Sequence, residues 1–205
     1  MSIQKILNLV ITILVVVLLS FAGYYFYSSK NSVIGTQVSF SEGEKGSLFP
    51  SLNSEFDFKT VTGKDFKIKA SNKKMVISGL EDKFVFLKIF GWNCQYCKKE
   101  IPQLINLKRD LGDSFEVIAL EAQQHSTEES LKYIKEYGIN YNIVNGTNHQ
   151  KFYKYLKVHY GWSGLIPVTI VLGKGGKVLA YEVGAKSYNL SELMKASLAR
   201  DTSQI

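Results

Sequence analysis

Cys94 and Cys97 are the only cysteines in a chain of 205 residues, and they stand within Trp92-Asn93-Cys94-Gln95-Tyr96-Cys97. Two thiols at that spacing can cycle between dithiol and disulfide with no other cofactor, or can ligate a soft metal. A structural zinc site needs four ligands. No second cysteine pair exists, and His125, His149 and His159 lack a finger-like spacing. A disulfide scaffold would spread its cysteines along the chain, so this pair is free for chemistry.

The surroundings narrow that chemistry. Lys83 to Phe90 (KFVFLKIF) is a β-rich apolar run ending at Gly91, and Cys94 to about Leu111 carries Ile101, Leu104, Ile105 and Leu111 at helical spacing. Cys94 is therefore expected where a strand feeds the N-terminus of a helix, at the positive end of the helix dipole and near free N–H groups. Such a place favours thiolate, which makes Cys94 the nucleophile. Cys97, one turn in, is expected to be more covered and to resolve a mixed disulfide by attacking Cys94.

The elements that must position this pair alternate along the chain. Phe56–Val61 and Phe66–Lys69 flank Thr62-Gly63-Lys64-Asp65 as a hairpin. Phe115–Leu120 follows as a strand, and Ser126-Thr127-Glu128-Glu129 is a capping box opening a helix that stops at Gly138. Tyr141–Val144 reads as a short strand and His149–His159 as a helix. Val168–Leu172 and Val178–Val183 form a hairpin around Gly173-Lys174-Gly175-Gly176, and Asn189-Leu190-Ser191-Glu192 caps a last helix to about Ala199. The expected architecture is α/β, a mixed central sheet flanked by helices.

Upstream, residues 6–27 (ILNLVITILVVVLLSFAGYYFY) contain no charge. As a helix that run would reach roughly 33 Å, enough for a bilayer core. Tyr24, Tyr25 and Tyr27 cluster where an aromatic belt would meet the headgroups. The run reads as one transmembrane anchor behind a short flank, residues 1–5. Ser20-Phe21-Ala22 leaves a cleavable signal as the competing reading, though the run is long for a signal core. Either would export the remainder. Residues 28–54, rich in Ser, Gly, Asn and charge, read as a tether, and residues 55–205 as the folded domain. The net charge of +7, from 25 Lys+Arg against 18 Asp+Glu, is scattered singly or in pairs, with no nucleic-acid motif. It reads as a solvated surface, and nucleic acid is not expected as a partner.

Strand, CxxC, helix and a later Ile166-Pro167 before a hairpin resemble thioredoxin-like proteins. Cys94-Gln95-Tyr96-Cys97-Lys98-Lys99-Glu100-Ile101-Pro102 looks most like the membrane-tethered extracytoplasmic branch, which includes TlpA, ResA and the cytochrome c maturation reductases. The resemblance covers residues 55 to 200. It implies a Glu three residues beyond the second cysteine, here Glu100, which would accept the Cys97 proton. It also implies a helix-kinking Pro102 and an N-terminal extra hairpin, which Phe56–Lys69 would supply. Pro167 would be a cis-proline facing the disulfide, with Ile166 offering backbone to the substrate strand; only X-Pro bonds adopt cis at low cost. Gln95 and Tyr96 would line the substrate side, with Trp92 either clamping the substrate beside them or packed into the core or rim.

Three positions depart from the resemblance. Asn93 stands where many relatives have Trp, with Trp92 one residue earlier. Gln95-Tyr96 replaces the Gly-Pro of strong reductants. Lys88 occupies the strand position where thioredoxins place an acid, either as a snorkelling edge lysine or as a group tuning the disulfide, paired with Glu100 because two lone buried charges would each be costly. The implied activity is reduction of exported protein disulfides, such as those of apocytochrome c, by a single-pass protein of the bacterial inner membrane. Its catalytic domain would face the periplasm or extracytoplasmic space and draw electrons from a membrane thiol transporter. A disulfide oxidase or isomerase is the rival on the same fold. A Cu(I) chaperone is a further rival, but relatives of that kind carry CxxxCP. A peroxiredoxin would need Pro and Thr before its cysteine, and Phe90-Gly91-Trp92-Asn93 has neither.

Overall fold

The computed structural model describes residues 50–202. The expected anchor at 6–27 and most of the tether lie outside them. Among the described residues no helix is long and apolar enough to cross a membrane.

Among the described residues eight strands divide between two sheets. The central sheet contains β4 (Phe84–Phe90), β5 (Phe115–Glu121), β6 (Asn142–Asn145), β7 (Val168–Leu172) and β8 (Val178–Val183), in the order β6-β5-β4-β7-β8. β4 pairs with β5 in parallel and β5 with β6 likewise, whereas β7 and β8 join antiparallel. The parallel connections are made by α1 (Gln95–Leu111) and α2 (Thr127–Tyr137); α3 (Gln150–Tyr160) and α4 (Leu190–Thr202) are the other helices among the described residues. This is the mixed sheet and helical cover of the thioredoxin-like fold.

The strand sequences account for their depth. β5 is buried at every position and β4 at all but Phe84, as expected of strands covered on both faces. Phe86, Leu87 and Ile89 are fully buried, each contributing about 1.5–3 kcal/mol of apolar transfer. The stripe of α1 that faces this core is Cys97, Ile101, Leu104 and Leu107. Leu107 thus stands where the sequence suggests Leu111, which is only partly buried.

The expected N-terminal hairpin is larger than a hairpin. β1 (Ser54–Lys59) and β2 (Asp65–Ser71) pair antiparallel, and β3 (Lys74–Ile77) adds a third strand that the sequence pattern does not announce. Its four residues are too few to display a period, and β2 is what supports them. β1 alternates strictly, with Phe56 and Phe58 inward, and these rings stand edge-on to Phe152 of α3 at 5.1 and 5.2 Å. Bridges at Thr60–Val144 and Lys74–Lys177 tie the small sheet to the central one. At the second bridge a Cβ on Gly176 would lie 2.6 Å from the Met75 carbonyl oxygen, and φ is +75°, so only glycine fits. The domain also starts slightly inside the expected tether. The Tyr155 hydroxyl donates to the Leu52 carbonyl at 3.1 Å, and His159 Nε2 donates to that of Pro50 at 3.0 Å.

Candidate active site at the Cys94–Cys97 pair

β4 ends at Phe90, and the turn from Gly91 to Asn93 delivers Cys94 as the N-cap of α1. The Cys94 N–H donates to the Gly91 carbonyl at 3.1 Å. Cys94 Sγ accepts the Cys97 N–H at 3.2 Å, the contact a capping oxygen would normally make. The two cysteines form a disulfide with Cα atoms 5.2 Å apart, and both are buried. The first turn of α1 carries no acidic residue. In the dithiol state, charge on Cys94 would therefore meet free N–H groups and the dipole, with no opposing carboxylate in that turn.

A buried lysine partners the helix that carries Cys97. Lys88, 1% exposed, extends from the central strand. Its ammonium donates to Glu100 Oε2 at 2.7 Å and to the hydroxyl of Thr169. Thr169 is its directly opposed neighbour on β7. This corrects the reading of Lys88 as an edge lysine, because β4 has neighbours on both sides and no route to solvent. Burial pushes the Lys88 pKa down, and the charge and hydrogen bond of Glu100 push partly back. Glu100 shares a helix face with Cys97, three residues earlier. Tyr141 also senses Glu100: burial first, and then that carboxylate, raise its phenol above the usual range.

Trp92 takes the packing role of its two readings, not that of a substrate clamp. It is fully buried, stacked on Tyr133 at 4.9 Å and edge-on to Phe90 at 4.8 Å. Its Nε1 donates to Ser130 at 3.1 Å, and Ser130 donates to Asn145 Oδ1 at 3.1 Å. The ring braces the loop from behind, and an apolar side chain two residues before Cys94 is held there by packing. Gln95 and Tyr96 are exposed, as a substrate-facing dipeptide requires. The Ile166–Pro167 bond is cis, both residues are buried, and the Pro167 carbonyl accepts the Gly184 N–H at 2.7 Å.

A second polar group beside the loop is not visible in the sequence. Glu121, with no exposed surface, accepts the N–H groups of Gln123 and His125 and the His125 Nδ1 proton. The Asn93 N–H donates to Gln123 Oε1 at 2.8 Å, and a Cβ on Gly91 would overlap that same glutamine side chain. Of the other histidines, His149 packs on Phe58 at 4.6 Å, where burial lowers its pKa, and His159 serves the N-terminal segment. Among the described residues no group of three or more His, Cys, Asp or Glu is placed to hold a metal.

Residues 60–181 match the AhpC/TSA family. The chain is 26% identical over 179 residues to the thiol-disulfide oxidoreductase ResA of Bacillus subtilis (strain 168), covering 86% of this chain and 85% of that protein. It is 27% identical over 117 residues to ResA of Bacillus anthracis, which is 56% of this chain and 63% of the relative. The crystal structure of StoA from Bacillus subtilis matches with a TM-score of 0.52 at 18% identity, covering 72% of this chain and 99% of StoA. A DsbF homologue from Corynebacterium diphtheriae matches with a TM-score of 0.55 at 21% identity, covering 80% and 99%. At such identities the structural likeness speaks for the fold. The chain belongs to the AhpC/TSA family, and it is a thioredoxin-like thiol–disulfide oxidoreductase.

Proposed function

We propose that this member of the AhpC/TSA family is a membrane-tethered, extracytoplasmic reductase of protein disulfides. Residues 6–27 would anchor it in the bacterial inner membrane, residues 28–49 would act as tether, and the domain that begins near Pro50 would carry the chemistry. The observation that carries the reading is Cys94 Sγ at the N-cap of α1, accepting the Cys97 N–H. Its placement in a cytochrome c maturation pathway rests on the resemblance to that branch and on the relatives named ResA.

In the reduced enzyme the Cys94 thiolate attacks one sulfur of the substrate disulfide. The substrate S–S bond breaks, and the leaving thiolate takes a proton from solvent. Cys97 then gives its proton to Glu100, and its thiolate attacks Cys94 Sγ. The second substrate thiolate departs, leaving a Cys94–Cys97 disulfide and a substrate dithiol. Two electrons have moved from enzyme to substrate, and a membrane thiol transporter would return them. Lys88 would hold the Glu100 carboxylate in place for this step, a role its ion pair supports. Gln95, Tyr96 and the Ile166 backbone would receive the substrate strand beside Pro167.

Two measurements test this. Cys97→Ser should accumulate mixed disulfides with partner proteins and Cys94→Ser almost none; trapping through Cys97 alone would overturn the order of attack. A reduction potential near that of thioredoxin, about −270 mV, would fit a reductase. A value near about −120 mV would assign the oxidase reading instead.

A further inference from the structure

The loop that carries the nucleophile is tied to a histidine that the exchange steps above do not use. Glu121 closes β5 with its carboxylate out of contact with water, and no lysine or arginine pairs with it among the described residues. Its hydrogen bonds come instead from the turn that follows: Gln123 N–H to Oε1 at 3.0 Å, His125 N–H to Oε2 at 3.0 Å, and His125 Nδ1 to Oε1 at 3.1 Å. The other ring nitrogen, Nε2, lies 3.2 Å from Nδ2 of Asn93. Asn93 directly precedes Cys94 and is exposed, while its backbone N–H is held by Gln123 at 2.8 Å. The turn therefore grips Asn93 through both backbone and side chain.

The first member of this chain fixes the role of Nδ1. A carboxylate only accepts, so Nδ1 carries a proton. With the Asn93 NH2 turned toward it, Nε2 is the acceptor of that contact. Asn93 Oδ1 has no hydrogen bond among the described residues and remains to meet an incoming chain. If Nε2 gained a proton it too would be a donor. The Asn93 amide would have to turn over, offering Oδ1 to the ring and NH2 to the outside. Histidine changes charge between about pH 5 and 8. The groups facing this ring are Glu121 from β5, Asn93 from the redox loop, and Glu129 and Tyr133 from α2.

The geometry points to His125 as a positioning residue for thiol–disulfide exchange, one whose protonation state sets whether Asn93 presents an acceptor or a donor to a peptide lying against Cys94. A neutral ring lets Asn93 accept a backbone N–H from the substrate; a charged ring withdraws that acceptor. The inference rests on the exchange activity but not on its direction. A peptide substrate feels the change, whereas a small aromatic disulfide has no backbone N–H to offer.

The test compares two probes on the reduced full chain in detergent, a disulfide-bridged peptide and the uncharged aromatic disulfide 2,2'-dithiodipyridine, across about pH 5–8. Ionisation of Cys94 affects both rates alike, so their ratio isolates the Asn93 contact. The ratio should rise about fivefold from low to high pH, the worth of one neutral hydrogen bond. In His125→Gln and in Asn93→Ala it should be flat, whatever happens to both rates together. A wild-type ratio that does not change with pH, or one that keeps its pH dependence in His125→Gln, overturns the proposal. Failure to react with 2,2'-dithiodipyridine at all would instead overturn the exchange chemistry itself. Should His125→Gln not fold, NMR of the wild type decides: the Asn93 side-chain amide signals should titrate together with the His125 ring. Amide signals that stay fixed while the ring titrates would sink the idea.

Discussion

Lys67 on β2 and Lys88 on β4 are the same residue on the same kind of element, in opposite settings. Lys67 has 46% of its side chain exposed and lies 3.7 Å from Glu55 and 3.5 Å from Asp57, which are themselves 55% and 77% exposed. Lys88 has 1% exposed and meets Glu100 at 2.7 Å, together with Thr169. On the small sheet, water solvates whatever the ion pairs do not, and each pair is worth about 0–1 kcal/mol. On the central strand nothing else can stabilise the ammonium, so its partners are structural requirements. A lysine count cannot distinguish the two; only strand order does.

The sharpest break of this comparison removes Lys88 alone. Lys88→Met keeps the volume and leaves Glu100 facing a strand without its cation, which should cost about 3 kcal/mol or more in denaturant unfolding. Lys88→Met with Glu100→Leu should recover most of that loss, because a fully apolar pair avoids desolvation altogether. In turnover, Lys88→Met should slow resolution by Cys97 more than attack by Cys94, since Glu100 loses the hydrogen bond that holds its carboxylate. Additive losses in the double variant, in rate and stability alike, would show that the two residues act separately.

A smaller effect concerns pH. Burial lowers the Lys88 pKa below its usual 10.5, so between the folded-state value and 10.5 the unfolded chain binds more protons than the folded one. Stability at this site therefore rises with pH across that window. Buried Tyr141, Tyr153 and Tyr181 run the other way: burial raises them, and their contribution is complete below about pH 10 and lost above it. Wild type and Lys88→Met share the tyrosines, so the stability gap between them should widen as pH rises through the lysine window. A gap that stays constant from about pH 7 up to the ordinary lysine range would mean that the ammonium is not penalised by burial.

The two regions also differ in what the sequence makes legible. β1 and β2 announce themselves because one face is wet, giving strict alternation, and the helix of Ser126 and Glu129 is announced by a capping box that is present with both its bonds. Cys94 at a helix start follows from a strand run meeting a helical stripe. These are local patterns. Lys88 is ambiguous in sequence because a strand buried on both faces has no period to show whether it is central. Trp92 is fixed by Ser130, 38 residues away, and no spacing rule reports such a contact. Glu121 and His125 are four apart, but on a strand end and a turn. They meet only because the chain doubles back through Gln124, at φ 63°.

The smallest effect is the one that would most directly break the comparison. Lys67→Thr keeps strand propensity while deleting both contacts of Lys67. Glu55 retains Lys69 at 3.5 Å, and Asp57 remains in water, so no charge is left buried and unpaired. The expected loss is within about 0.5 kcal/mol at low salt. At about 1 M salt the screening length falls to about 3 Å, shorter than either ion pair, and the loss should vanish. The Lys88→Met deficit should persist in the same salt, because ions do not reach that strand. Equal salt sensitivity in the two variants, or a loss for Lys67→Thr well above the roughly 1 kcal/mol ceiling of exposed pairs, would show that the small sheet relies on its surface charges as the central one relies on Lys88. The difference between the two lysines would then have to be sought somewhere other than burial.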